Sequence, residues 1–293
     1  MAASFGLVEV GPGDDCAVVR VAPSPGATGG GRLLLTVDQL VEGRHFDPAT
    51  HVDLIARKAI ARSISDIAAM AGTPAWALAA GVIPDGYPHA DALFDSMHRW
   101  ARHWGAPLVG GDIASAPKGS PLVLSVTVGG LPHSSRGPVT RSGARPGDEV
   151  WVTGRFGGSL ASARHLKFEP RLREAAWLAD TLGNNLHAMI DVSDGLGRDA
   201  GRIAAASSVR IEIESTRVPR HADVADAMRA LADGEDYELC FTAAAGRLGS
   251  LRAPDDLAPV SMIGRVVSGA GCVTVDGAGG TQDVAELGWD HQA

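Results

Sequence analysis

The feature that most constrains the fold is the alternation of short apolar segments with longer segments of helical periodicity. In residues 50–71, for example, Ile60, Ile64 and Ile67 recur near the 3.6-residue period of a helix. Some strand-like segments also follow one another directly. This pattern favours a mixed α/β (α+β) fold class built in two halves. The predicted strands cover 31–38, 76–83, 107–112, 121–130, 149–153, 186–191, 209–214 and 236–242, and the predicted helices cover 50–71, 89–104, 158–167, 171–183, 195–207 and 221–232.

A polar segment rich in glycine and proline, residues 132–148, separates the two halves. The chain has 293 residues, a length that suits two domains of ordinary size. We therefore predict an N-terminal domain over residues 1–138 and a C-terminal domain over residues 139–293.

The three cysteines, Cys16, Cys240 and Cys272, lie far apart and form no C-x-x-C pair. Neither a disulfide framework nor a cysteine-based zinc site is expected from them. The N-terminus shows no basic region followed by an apolar run, and no apolar stretch reaches the length of about 18 residues that a membrane span needs. We expect a cytoplasmic protein.

Lysine and arginine total 26 against 34 aspartates and glutamates, which gives a net charge of −8. This balance argues against a protein that binds nucleic acid non-specifically, because such proteins carry a basic face. Four common motifs are also absent: the P-loop, a dinucleotide-binding G-x-G-x-x-G between strand and helix, H-E-x-x-H and G-x-S-x-G. Their absence excludes the commonest nucleotide-binding and hydrolase classes.

What remains is a set of carboxylates at or near the ends of apolar segments. Taken singly, most have an ordinary explanation, because aspartate favours turns and helix N-caps. Asp66 is harder to explain in this way, since it lies inside a predicted helix between Ile64 and Ile67. The set comprises Asp14, Asp15, Asp38, Asp66, Asp112, Asp191, Asp194, Glu235 and Asp236.

Taken together, these acids predict a cation site. Oxygen ligands from several segments suit Mg²⁺, which keeps waters and shares phosphate oxygens. Carboxylates clustered without a metal would repel one another and raise one another's pKa. The residues alone therefore predict bound Mg²⁺ and phosphate.

A glycine-rich turn, which contains Gly154, Gly157 and Gly158, follows the predicted strand 149–153. Its backbone N–H groups could bind phosphate at the start of the next predicted helix. Close packing of the turn is the alternative, and it is the interpretation that we favour.

Seven motifs follow one another along the chain: GDDCAVV, TVDQLVEGRHF, ARKAIARSISDIAAMAGTPAW, VGGD, TRSGARPGDEVWVTG, IDVSDGL and GEDYELCFT. Together they resemble the thiamine-monophosphate kinase family, within the aminoimidazole ribonucleotide synthetase-like superfamily. The resemblance runs from about residue 11 to the C-terminal WDH. It implies the transfer of the ATP γ-phosphoryl group to thiamine monophosphate, which gives thiamine diphosphate. It also implies a homodimer in which the N-terminal domains pair into a shared β-barrel, and an α/β C-terminal domain.

The resemblance also implies roles for individual residues. The implied Mg²⁺ ligands are Asp15, Thr36, Val37 through its backbone carbonyl, Asp38, Asp66, Asp112, Asp191 and Asp194. The implied contacts with ATP are Gly111, Asp112, Arg141 and Ser193. The implied contacts with thiamine monophosphate are His45, Glu235 and Trp289. No nucleic acid and no membrane is expected as a partner.

The chain departs from the family pattern at Val37 and Ile113, where threonine is usual, and at Asp233, where glycine is usual. Two alternatives therefore stay open: a sister ATP-dependent enzyme with another acceptor, and a binding protein that has lost activity. For the kinase we expect direct in-line transfer without a phospho-enzyme, because phosphoryl transfer requires positioning and charge neutralisation more than covalent chemistry.

Overall fold

The computed structural model describes residues 7–22, 31–249, 252–276 and 280–290. The chain divides into two compact units. The first contains residues 1–67, 72–134 and 166–170, and the second contains residues 68–71, 135–165 and 171–293. The main change of unit follows Ser134, close to the predicted boundary at residue 138. The short segments 68–71 and 166–170 interrupt this division, which no single boundary could describe.

The first unit is built on a six-stranded sheet with the strand order β1-β2-β3-β6-β4-β5. Strands β4 and β5 pair in parallel, and the other neighbours pair antiparallel. The elements are β1 (Val8–Val10), β2 (Ala17–Val21), β3 (Gly31–Val41), α1 (Val52–Ala69), β4 (Thr73–Pro84), α2 (Ala90–His103), β5 (Leu108–Ala116) and β6 (Val123–Leu131).

Helix α1 is buried along nearly its whole length, with Ile60, Ile64 and Ile67 fully enclosed. The hydroxyl of Ser63 donates a hydrogen bond of 2.9 Å to the backbone carbonyl of Val126 on β6, so the helix lies against the sheet. The helix ends at Ala69 because Ala71 adopts a left-handed backbone conformation (φ +54°). The predicted helix over 50–71 is thus confirmed, apart from its terminal residues.

Strand β3 shows the alternation of a sheet with one covered face. Leu34, Thr36 and Leu40 are buried, whereas Val37 is 62% exposed on the opposite face. The prediction that this strand ends at Asp38 is wrong, since the pairing with β6 continues as far as Val41. Asp38 therefore lies within the sheet rather than in a loop.

The second unit is built on a seven-stranded sheet with the strand order β13-β12-β9-β11-β7-β10-β8. All its neighbours pair antiparallel except β12 and β9. The elements are β7 (Glu149–Thr153), α3 (Leu172–Leu182), β8 (Leu186–Asp191), α4 (Leu196–Ser207), β9 (Arg210–Glu214), α5 (Ala227–Ala232), β10 (Leu239–Ala243), β11 (Val260–Val267), β12 (Gly271–Val275) and β13 (Thr281–Asp283), with short 3₁₀ turns at Arg164–Leu166, Gly183–Asn185 and Ser215–Arg217.

Strands β7, β10 and β8 of this second sheet are buried on both faces. On strand β8, Ala188 and Ile190 belong to the core that includes α4, whereas Met189 belongs to a second core that includes α3. Helices on both faces explain why these three strands are mostly apolar, whereas β9 alternates between polar and apolar residues.

Two predicted helices of the second half are wrong in extent or kind. The helix predicted over 158–167 is a turn that closes in a single 3₁₀ turn at Arg164–Leu166. The hydroxyl of Ser162 donates to the carbonyl of Gly158 (2.8 Å), and Ala163 adopts a positive φ of 58°, so this segment cannot continue as an α-helix. The helix predicted over 221–232 is reduced to α5, with Asp226 as its N-cap.

Cys16, Cys240 and Cys272 are buried, and none of the three forms a disulfide. Among the described residues, no helix combines the length and the apolar character that crossing a membrane requires.

Candidate functional site

In the first unit, Asp15, Thr36 and Asp66 come together from a loop, a strand and a helix. Carboxylate oxygens of Asp15 and Asp66 lie within 4.8 Å of each other. The hydroxyl of Thr36 donates a hydrogen bond to Asp66. Asp15 and Thr36 are buried and Asp66 is half-buried, so water screens the two neighbouring carboxylates less than it would at the surface. This arrangement of hard oxygen ligands suits a divalent cation such as Mg²⁺.

Asp38 lies two residues beyond Thr36 on the same face of β3. Its carboxylate is 3.5 Å from the guanidinium of Arg62, which also donates to the carbonyl of Gln39 at 2.9 Å. Arg62 precedes Asp66 by one helical turn of α1. The register of α1 against β3 therefore places Arg62 beside the predicted metal ligand Asp38. The same register places the hydroxyl of Thr36 beside the predicted ligand Asp66.

Gly111 and Asp112 lie on the exposed edge strand β5. Asp112 pairs with Ala80, which in turn pairs with Ser125, the partner of Gln39 on β3. Three strand spacings separate β5 from β3, a distance of about 14 Å across the sheet. Asp112 thus occupies a different part of the sheet from the three-residue cluster of Asp15, Thr36 and Asp66.

His45 lies in a tight turn that follows β3. Its ring Nδ1 accepts a hydrogen bond of 2.9 Å from the backbone N–H of Val41. The turn is closed by a bond of 2.9 Å from the N–H of Gly43 to the carbonyl of Phe46. The ammonium of Lys58 on α1 donates to the carbonyl of His45 at 2.8 Å. Both the ring and the backbone of His45 are therefore fixed.

In the second unit, the segment Asp191–Leu196 joins the end of β8 to the start of α4. Asp191 and Asp194 are buried, and Ser193 between them is half-buried. Gly195 adopts a φ of +123°, and a side chain there would press against the carbonyls of Leu231 and Ala232. Glycine is therefore required at this position, as the SDGL sequence suggests.

Arg202 on α4 holds the predicted ligand Asp194. Its guanidinium donates to Asp194 at 2.6 Å and to Asp199 at 2.5 Å. Burial raises the pKa of Asp199 to about 7, although the charge of Arg202 acts in the opposite direction. Arg141 also lowers the pKa of Asp199 through its charge, so this predicted ATP contact lies near the same group of residues.

Glu235 and Trp289 both attach to the loop that contains Ser193 and Asp194. The N–H of Glu235 donates to the carbonyl of Ser193 at 2.7 Å, and the N–H of Trp289 donates to the carbonyl of Asp194 at 2.8 Å. The indole of Trp289 is half exposed. Glu235 adopts an unusual positive φ of 66°. The structure thus brings together four residues that the sequence places in three distant segments.

The glycine-rich turn after β7 binds the protein's own carboxylates. The N–H of Gly157 donates to Asp236 at 2.9 Å, and the N–H of Gly158 donates to Asp233 at 2.8 Å. Burial raises the pKa of Asp236 to about 8. These contacts support the packing interpretation of the turn, and they give Asp233, a departure from the family pattern, a structural partner.

Sequence reasoning missed four residues that contact the predicted site residues. Lys58 contacts His45, Arg62 contacts Asp38, Arg202 contacts Asp194, and His165 lies 3.5 Å from the carboxylate of Glu235. One available signal was Lys58, which stands with Arg57 among the apolar residues of α1. Nothing in the local sequence distinguishes the other three from ordinary surface residues.

Two family models match the chain. The N-terminal domain of the AIR synthase related proteins matches residues 13–131, and their C-terminal domain matches residues 145–276. The thiamine-monophosphate kinase of Escherichia coli (strain K12) is 36% identical over 265 residues, which cover 80% of this chain and 76% of that protein. The chain belongs to the thiamine-monophosphate kinase family. The resemblance inferred from the motifs is thereby confirmed.

Other members of the thiamine-monophosphate kinase family support the same assignment. The enzyme of Mycobacterium tuberculosis (strain ATCC 25618 / H37Rv) is 36% identical over 303 residues, covering 92% of this chain and 83% of that one. The solved structure of AaThiL complexed with AMPPCP and TMP matches with a TM-score of 0.76 and 28% identity, and the match covers 96% of this chain and 91% of that one. The predicted two-domain, AIR synthetase-like α/β fold is therefore confirmed.

Proposed function

We propose that this protein is a kinase that transfers the γ-phosphoryl group of ATP to thiamine monophosphate and so forms thiamine diphosphate. The observation that carries the proposal is an identity of about a third, over at least four fifths of the chain, with thiamine-monophosphate kinases. ATP is the co-substrate, in line with the AMPPCP and TMP bound by AaThiL.

The cluster of Asp15, Thr36 and Asp66 supports the need for Mg²⁺. Two carboxylates within 4.8 Å of each other, beside a hydroxyl, form an oxygen donor set that fits this ion. Mg²⁺ held there would neutralise the charge of the reacting phosphates. We propose Val37 through its carbonyl, Asp38 and Asp112 as further ligands of the first unit, and Asp191 and Asp194 as ligands of the second.

The remaining site residues serve to bind and orient the two substrates. We propose that Gly111, Asp112, Arg141 and Ser193 contact ATP, since a guanidinium suits phosphate geometry and a glycine allows close approach of the backbone. His45, Glu235 and Trp289 would contact thiamine monophosphate, and the exposed indole of Trp289 would offer an aromatic face to a cationic ring.

We infer direct in-line transfer rather than a phospho-enzyme. The acceptor phosphate is itself the nucleophile, so the protein needs only to align it with the γ-phosphorus and to neutralise charge. Transfer from ATP of chiral γ-phosphate should invert the configuration at phosphorus. Retention of configuration, or a phosphorylated protein trapped during turnover, would contradict this mechanism.

The exposed face of the first sheet supports a homodimer. Val37 and Leu78 flank Thr127 in one row across β3, β6 and β4, and Val82 lies further along β4; these three apolar side chains are between 38% and 62% exposed. Apolar side chains on one open sheet face are typical of a protein interface. We propose that a second copy covers this face and that the two sheets form the shared β-barrel.

One assay tests the function directly. Purified protein, Mg²⁺, ATP and thiamine monophosphate should yield thiamine diphosphate, with thiamine as a control acceptor. Chromatography of the reaction mixture separates thiamine diphosphate from thiamine monophosphate. If ATP is consumed without thiamine diphosphate, the γ-phosphoryl group passes to water or to another acceptor; if ATP is not consumed at all, the protein has lost activity. Either result would overturn the proposal. We predict a cytoplasmic location for this reaction.

The dimer has its own test. Leu78→Lys combined with Val82→Lys places two charges on the exposed sheet face and should shift the sedimentation coefficient from that of a dimer to that of a monomer. Leu160→Lys is the matched control, because Leu160 is an apolar residue of the second unit that is 54% exposed. A wild-type protein that sediments as a monomer at micromolar concentration would contradict the proposed dimer.

A further inference from the structure

Lys58 is one of the largest fully buried side chains in the described part of the chain, and it is charged. It lies within α1, between the buried residues Arg57 and Ala59. Burial of an ammonium group costs free energy unless hydrogen bonds replace the lost water. A methionine would fill the same space at lower cost, so the charge has to be explained by what its nitrogen contacts.

The contact of that nitrogen with His45 reaches outside α1. The Nζ atom of Lys58 donates to the backbone carbonyl of His45 at 2.8 Å. His45 belongs to the turn of residues 41–46, in which the N–H groups of Arg44 and His45 both donate to the carbonyl of Val41. Lys58 therefore joins this solvent-side turn to the rigid core helix of the first unit.

The ring of His45 is oriented from the other side. Its Nδ1 accepts from the N–H of Val41, so the neutral imidazole carries its proton on Nε2. With the backbone held by Lys58 and the ring held by Val41, His45 has one defined position from which to donate. A group that binds substrate gains affinity when its position is set before the substrate arrives.

We propose that Lys58 is a positioning residue for the binding of thiamine monophosphate, which acts by holding the turn that presents His45. The inference rests on the proposed function, and specifically on the contact between His45 and the substrate. Lys58 does not touch the substrate. Its effect is on the KM for the acceptor and not on the affinity for the nucleotide.

The test compares Lys58→Met with the wild-type enzyme, using full-length protein and Mg²⁺. Methionine keeps the length and the apolar stem of lysine and removes the donor. We expect the KM for thiamine monophosphate to rise about tenfold, with kcat and the KM for ATP changed less than about twofold. Lys58→Gln retains an N–H donor on a shorter side chain, so its KM for thiamine monophosphate should lie between those of the wild type and Lys58→Met. This second variant gives a result even if the methionine variant fails to fold.

Arg57→Met is the matched control. Arg57 is the neighbouring buried cation of the same helix, and its hydrogen bonds are with Leu166 and Glu169 rather than with the turn of residues 41–46. This variant should lose stability without a selective change in the KM for the acceptor. An equal rise in the KM for thiamine monophosphate in both variants, or none in either Lys58 variant, would overturn the proposal.

Hydrogen exchange separates this inference from the proposed function. In the ligand-free protein, the amides of residues 43–45 should exchange faster in Lys58→Met than in the wild type, whatever the acceptor is. If the wild type forms no thiamine diphosphate, the proposed function fails, and exchange still reports whether Lys58 holds the turn. Unchanged exchange in both Lys58 variants would show that it does not.

Discussion

The hydroxyl of Thr36 on β3 donates a hydrogen bond to the carboxylate of Asp66 on α1, and so ties the central strand to the buried helix at the cluster of acidic residues. The bond occupies one lone pair of an Asp66 carboxylate oxygen. The structure therefore fixes the position of Asp66 relative to Asp15 by a contact between residues 30 positions apart in sequence.

Asp66→Asn should lower kcat/KM by at least about 100-fold, because the amide can still accept the bond from Thr36 and loses only the charge that binds the cation. Steady-state kinetics measures the loss of kcat/KM. Thermal unfolding measures stability, and the melting temperature of the variant should stay within a few degrees of the wild-type value. Asp95→Asn, at an exposed position of α2, is the control. If Asp66→Asn keeps wild-type activity over a range of Mg²⁺ concentrations, the assignment of the site is wrong.

Arg202→Met should destabilise the second unit by about 2–3 kcal/mol. Removing one partner of a fully buried pair costs about 3–5 kcal/mol, and the value is lower here because the Arg202 side chain is about a third exposed. Urea unfolding measures the change. The double variant Arg202→Met with Asp199→Asn should recover part of the loss, since it also removes the buried charge. If the double variant recovers no stability, the loss in Arg202→Met does not come from the pair between Arg202 and Asp199.

The buried carboxyl of Asp236 should lower the free energy of unfolding as the pH rises from about 4 to about 8. Burial raises the pKa of this carboxyl to about 8 in the folded state, against an ordinary value of 3.8. Within that window the folded state holds a proton that the unfolded state has lost, so stability falls by at most about 1.4 kcal/mol per pH unit. Below the window both states are protonated, and above it both are charged.

Asp236→Asn isolates this effect, because the amide oxygen can still accept the bond from Gly157 and cannot ionise. The melting temperature of the variant should match that of the wild type near pH 4 and exceed it increasingly towards pH 8. Comparing the two proteins at each pH cancels the contribution of other groups such as Asp199. Parallel curves for the two proteins would contradict the raised pKa.

Gly154→Ala should destabilise the protein more than Gly137→Ala does. Both glycines adopt positive φ, +58° and +73°, so both substitutions strain the backbone by about 1 kcal/mol. At Gly154 the added methyl group would also clash with the buried carboxylate of Glu238, whereas nothing lies near the corresponding position at Gly137. Denaturant unfolding of both variants checks the order, and equal losses would show that Glu238 moves aside freely.

Local sequence predicted the elements well where a periodic pattern was strong. The strands 149–153 and 186–191 match β7 and β8, and the helix 195–207 differs from α4 by one residue. Periodicity reports which face of an element is buried, and burial is what stabilises these elements. The same reasoning failed for 158–167, where Ala163 adopts a positive φ and the hydroxyl of Ser162 donates to the carbonyl of Gly158.

Asp66 shows which part of the candidate site the sequence could predict. A carboxylate inside an apolar helix marked it as unusual, and the family motifs marked its companions. The sequence by itself determined the fold class and the family, because these follow from local pattern and motif order, and it supplied a list of acidic residues that stays a prediction. Only the tertiary structure decided which residues meet: Thr36 with Asp66, Lys58 with His45 and Arg202 with Asp194. Such pairs depend on the register of a helix against a strand or a loop, which is set by side-chain packing and leaves no periodic trace in the sequence.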